Sequence, residues 1–152
     1  RQQLLDALKQ RLAVDEGSLI AELTAQPEDG RLKLLLVHRL LQFRRQHPEL
    51  CARGDYQPLQ VEGERAAHVV AFARQHLDEV VVAVASRLVG QLQPEPALSI
   101  PESAWQGTVV HLPRTTRGQW RDLLTGRRFE VGTPLALAEL TAALPVAALV
   151  AE

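Results

Sequence analysis

The chain has no methionine, no asparagine, a single cysteine and only 4% aromatic residues among its 152 positions. Each scarcity closes off a chemistry. One cysteine, Cys51, cannot build an internal disulfide framework or a thiolate zinc site, and it fits a reducing, cytoplasmic setting. Without asparagine no Cys–His–Asn arrangement can be assembled, so Cys51 reads as a buried, inert thiol. An excess of charge of either sign is missing too: 17 basic and 18 acidic residues leave a net −1. Nucleic acid is therefore not an expected partner, because phosphate binding needs clustered Lys and Arg, and a membrane surface is equally unsupported. No apolar run approaches the roughly 18 residues of a spanning helix, and no signal-peptide pattern opens the chain. The missing methionine carries an expectation of its own. The sequence opens on Arg1 and runs into a helix without a capping residue, as a fragment cut inside a longer helix would.

What is present suffices for a core, with 46% apolar and 23% charged residues. The first fifty residues read as helical. Leu4, Leu5, Leu8 and Leu12 share one helix face over Gln2 to Leu12, and Leu19, Ile20 and Leu23 share another over Gly17 to Ala25. Pro27-Glu28-Asp29-Gly30 makes a turn, and a third helix spans Arg31 to His47 until Pro48 ends it. This third helix carries two apolar stripes, Leu32-Leu36-Leu40-Phe43 and Leu34-Val37-Leu41. One buried face needs only about a 100° stripe, so the helix is expected to pack on two sides, one of them outside the chain.

From Asp55 the period changes to two. Strands are expected over Tyr56 to Val61, Ala67 to His76 and Glu79 to Ser86, the last two as a hairpin whose second strand is apolar on both faces and therefore central. Further strands are expected near Thr108 to Leu112, Gly118 to Leu124, Arg127 to Val131 and Pro145 to Val150. Gly126 supplies a positive φ to the turn between the second and third of these. Pro134 to Leu140 fits a strand or a helix. The fold class is α+β: helices over residues 1–50, then an antiparallel, sandwich-like β domain over 51–152.

Candidate chemistry is sparse. The five histidines show no metal-ligand spacing, and the acidic pairs Glu62/Glu64 and Asp78/Glu79 occupy turns where carboxylates are normally solvated. No phosphate-binding loop and no Gly-x-Ser-x-Gly is present. Trp105, in a polar stretch, is a candidate sugar-stacking platform, weighed against the ordinary need of large rings for a core.

The order of several segments resembles the C-terminal part of malto-oligosyltrehalose synthases, enzymes of the α-amylase clan. The residues that carry it are DGRLKLLLVHRLLQFRRQHPELCARGDYQPL from Asp29 to Leu59, EGERAAHVVAFAR from Glu62 to Arg74, WRDLLTGR from Trp120 to Arg127, and LALAELTAALPVAALV from Leu135 to Val150. Cys51 departs from the large apolar residue usual there. The resemblance implies helices that close a (β/α)8 barrel, leading into a C-terminal β domain. It implies intramolecular transglycosylation that turns the reducing-end α-1,4 link of maltooligosaccharides into an α,α-1,1 link, with no cofactor. The catalytic carboxylates are expected upstream of Arg1, with none in this chain. Partners are then the protein's own barrel domain and, through it, the maltooligosaccharide. Arg53, Asp55 and Tyr56 are the candidate residues of the interdomain junction. The competing expectations are another α-amylase-clan enzyme, a carbohydrate-binding module with Trp105 exposed beside a second aromatic, and an interaction domain without sugar chemistry.

Overall fold

A computed structural model describes residues 2–93, 97–114, 118–130, 132 and 134–152. Helices come first: α1 (Gln2–Val14), α2 (Glu16–Ala25), α3 (Arg31–Gln46) and α4 (Pro48–Arg53). Strands follow, β1 (Asp55–Pro58), β2 (Val61–Glu62), β3 (Val69–His76), β4 (Glu79–Ser86), β5 (Val109–Val110), β6 (Gln119–Asp122), β7 (Arg128–Glu130), β8 (Leu135–Ala136) and β9 (Val146–Ala151). Two single-turn helices, α5 (Glu102–Trp105) and α6 (Leu137–Leu140), lie among them. The fold is α+β, helices before strands, as the periodicities predict.

Local chemistry sets the boundaries. α2 begins one residue before the expected Gly17, because the Asp15 carboxylate accepts the Ser18 amide at 3.0 Å and caps the helix. α3 ends where Pro48 starts the next helix, with Pro at its first position. Gly54 turns the chain from α4 into β1 at a place where a Cβ would press on the Leu50 carbonyl oxygen, so only glycine fits this approach.

A six-stranded antiparallel sheet has the order β1-β3-β4-β9-β6-β7, and a three-stranded sheet has the order β2-β5-β8. The expected β3–β4 hairpin is there, in register from Val69 opposite Ser86 to His76 opposite Glu79. The tight turn puts Leu77 at φ +52. β4 is interior, as its continuous apolar run predicts. The Tyr56 to Val61 strand, by contrast, splits between the two sheets. Pro58 has no amide to extend the ladder; after the Leu59 amide bonds the Ala71 carbonyl, the chain crosses to β2. The expected strand from Ala67 starts only at Val69, after a short 3-10 turn over Ala66–His68. Pro134 to Leu140 resolves as two strand residues followed by α6. Of the strand expected up to Val131, that last residue lies outside the described residues.

The middle of the six-stranded sheet is covered on both faces, while β1 at its edge is exposed. One face supplies Val82, Val84, Trp120, Phe129 and Leu149 to a core closed by Val110 and Leu135 of the smaller sheet and by Trp105, Leu137 and Leu140. The other core joins the helices to the sheet: Leu8, Leu19, Leu23, Leu32 and Leu35 pack with Leu124, Leu144 and Ala148. β9 serves both, Leu149 in one and Ala148 in the other, as alternation along a strand requires. Neither expected stripe of α3 includes Leu35, yet it is fully buried, with Leu32 and Phe43 beside it, while Val37, Leu40 and Leu41 stay 43–53% exposed. The apolar surplus of α3 is real, and it faces outward.

Candidate functional site

The richest polar constellation is the seam between α3 and the β6–β7 hairpin. It starts in the segment Trp120 to Arg127. Trp120 points into the first core and is fully buried, so its neighbour Arg121 points to the other face, where its guanidinium pairs with Glu152. Arg121 holds the Glu152 carboxyl below its ordinary range, helped by Arg128. Asp122 is buried at 2% exposure and fully employed. One carboxylate oxygen accepts the amides of Leu124 at 3.1 Å and Ala148 at 3.0 Å, and the other accepts the Thr125 hydroxyl at 2.5 Å. The carboxylate thus ties the hairpin turn to β9, and buried amides that would otherwise lack partners are satisfied.

Arg39 of α3 reaches the same turn. Its side chain is 11% exposed, and its guanidinium donates to the Leu124 carbonyl and to the Glu16 carboxylate, the latter at 2.6 Å. Glu16 in turn lies against Gly126, which sits at φ +76; a Cβ there would stand 2.7 Å from a Glu16 carboxylate oxygen. Gly126 is therefore favoured by its backbone conformation, and a side chain there would also push the Glu16 carboxylate aside. Arg127 then lies 5.2 Å over the Phe129 ring and donates to the Glu139 carbonyl at 2.5 Å. Every residue type in WRDLLTGR is thereby accounted for by packing or by a bond, with no side chain left over for a reaction.

A cleft of about 400 Å³ opens next to this seam, between the C-terminal half of α3 and the β4–β9–β6 region of the sheet. Its carboxylates are all engaged: Glu79 with His47 at 2.5 Å, Glu152 with Arg121. The His47 ring stacks on Phe43 with centroids 4.4 Å apart. Such a site positions elements; it does not present a free acid and base at a common point, which glycosidic chemistry requires. Among the described residues no three or more His, Cys, Asp or Glu side chains are grouped so as to hold a metal ion.

The sequence-derived candidates lie elsewhere. Trp105 is fully buried and its indole N–H donates to Thr141 at 2.8 Å, while the Thr141 hydroxyl donates to the Leu137 carbonyl at 2.7 Å. Its ring has no free face for a sugar, and Trp120 is equally enclosed, so the exposed aromatic pair expected of a carbohydrate-binding module is not formed by the tryptophans. The polar neighbours of Trp105 reflect the exposed side of a one-turn helix. Arg53 is exposed and pairs with Glu49 at 3.1 Å, Asp55 is exposed at the start of β1, and Tyr56 is 63% exposed with its ring 5.1 Å from Phe72. These three sit around the α4-to-β1 turn. Cys51 is half-buried, more open than a core thiol. The sequence does not single out Arg39, Glu16 or Asp122. One signal for Arg39 was available: it lies four residues from both Leu35 and Phe43, on the buried face of its helix, where a charge needs a partner.

No protein-family model matches the chain. Two curated relatives, both named "Putative maltooligosyl trehalose synthase" and both from Mycobacterium tuberculosis, strains CDC 1551 / Oshkosh and ATCC 25618 / H37Rv, are 38% identical to it over 120 residues, 79% of this chain. The chain is related to a region of these synthases. It spans only 14% of their length. No helix among the described residues is long and apolar enough to cross a membrane.

Proposed function

We propose that the chain is a non-catalytic, structural region of a maltooligosyl trehalose synthase, acting in trehalose biosynthesis. The observation that carries this reading is the 38% identity over 79% of the chain to curated synthases. The geometry agrees with a structural role, because the carboxylates at its richest polar seam are spent on arginines, a histidine and backbone amides. The whole enzyme would break the C1–O4 bond at the reducing end of a maltooligosaccharide and form a C1–O1 bond between the same two glucosyl units. No water is consumed and no cofactor is called for. Its catalytic carboxylates would belong to a (β/α)8 barrel domain outside this chain, with residues 1–50 as closing helices of that barrel and 51–152 as the C-terminal β domain. A cytoplasmic setting suits a glucan substrate of this kind.

The test uses the complete reading frame that contains this sequence. With maltopentaose, the expected result is loss of reducing ends without release of glucose. Release of glucose at a matching rate would identify a hydrolase of the same clan instead, and the absence of any turnover by the complete protein would overturn the reading. The 152-residue chain alone is expected to leave maltopentaose unchanged.

A further inference from the structure

Three observations single out the outward face of α3. Val37, Leu40 and Leu41 lie within one turn of each other on that side of the helix, at 45%, 43% and 53% exposure. The helix contains five basic residues and no acidic one. Two of the five turn inward and are paired, Arg31 with Glu22 and Asp29, Arg39 with Glu16. The remaining three, Lys33, Arg44 and Arg45, are exposed, share the outward side with the apolar cluster, and make no ion pair among the described residues.

We infer that the outward face of α3 is a docking surface for an apolar patch rimmed by carboxylates, contributed by the part of a synthase-length polypeptide that this chain does not contain. The inference rests on the structural reading above and adds the chemistry of the contact. The relatives extend over several times the 14% of their length that this chain spans, so an intramolecular occupant is at hand. A cluster of Val and Leu gains by leaving water, and the cations around it select an acidic rim over a neutral or basic one. Tethering within one polypeptide makes the contact effectively unimolecular, so three apolar side chains and three cations need not supply the affinity of a free complex.

The test uses the complete polypeptide in a Cys51→Ser background with one reporter thiol at a time. Leu41→Cys is expected to react with a maleimide about ten-fold more slowly than Leu77→Cys, which sits 82% exposed at the β3–β4 turn. Adding Lys33→Glu, Arg44→Glu and Arg45→Glu should raise the Leu41→Cys rate several-fold and leave Leu77→Cys unchanged. Equal rates at the two thiols in an enzyme that still makes a non-reducing product would overturn the docking inference and leave the structural reading standing. Protection that survives the charge reversal would overturn the acidic rim. Protection that falls on dilution would assign the surface to a second copy of the chain, which also overturns the inference. Loss of turnover by the unmodified enzyme is the outcome that strikes the functional reading instead.

Discussion

The two cores of this molecule are built differently. The core between the sheets closes on itself: Trp105, Trp120, Leu137 and Leu149 are fully buried, and the donor on Trp105 is satisfied within it. The helical layer is finished on one side only, with Leu35 fully enclosed and Leu41, on the other side of the same helix, 53% exposed. Layered domains bury one stripe of each helix against a neighbour and leave the opposite side polar. On the docking inference above, the second apolar stripe of α3 answers to a second neighbour. The core between the sheets is therefore complete among the described residues, whereas α3 keeps an apolar stripe that none of them covers.

Truncations are the most direct way to break this comparison. Trp120→Ala should have the largest effect, a loss of about 3–5 kcal/mol, because it opens a large cavity in a core closed on all sides. Leu35→Ala should cost about 2–5 kcal/mol, since the site is fully buried between helix and sheet. Leu41→Ala should stay within about 0.5 kcal/mol in this chain, although the same residue type sits on the same helix. Denaturant unfolding of the three variants measures the ordering. A Leu41→Ala loss comparable with that of Leu35→Ala would mean that the outward stripe is already packed. Gly126→Ala should fall between these extremes, because the new methyl must take a positive φ and displace the Glu16 carboxylate from Arg39.

What the sequence discloses follows the range of the forces involved. The β3–β4 hairpin is legible because its residues are neighbours in the chain and its pattern is dense in β-branched residues. The wide apolar girth of α3 is legible for the same local reason. Which residue of that girth is innermost is not: Leu35 is buried in a core that includes Leu124, Leu144 and Ala148 from the far end of the chain. Arg39 depends on a carbonyl 85 positions away, and Asp122 on an amide 26 positions away. Side chains whose partners are that distant look like ordinary surface polar residues in the sequence. Arg53, Asp55 and Tyr56 are candidates only through the resemblance, which puts the crossing between helices and β domain there, whereas the seam that joins the layers is assembled from α2, α3, the β6–β7 hairpin and the end of the chain.

Acid gives the finest discrimination between the two regions. Glu22 of α2 bridges Arg11 of α1 at 2.6 Å and Arg31 of α3 at 2.8 Å, so one carboxylate links all three long helices. Hydrogen bonds from Arg11, then Arg31, lower its pKa from the ordinary 4.5 to about 2. Asp29 is lowered as well, through the amide and guanidinium of Arg31. A carboxyl with a depressed folded-state pKa favours the folded state in its ionised form. Its contribution is complete above about pH 4.5 and disappears as the pH falls toward about 2. The pair is open to solvent, so the effect is modest and weakens with salt. Acidification across that window should therefore lower the hydrogen-exchange protection factors of α1, α2 and α3, taken relative to the intrinsic rate at each pH, before those of β4, whose amides lie in the middle of the sheet. Glu22→Gln should flatten the pH dependence of the helical amides and leave β4 unaffected. Helical and β4 amides opening at one common pH in the unmodified chain would show that the two regions unfold as a single unit, and the contrast between an enclosed core and a helical layer with one open side would then stop at packing.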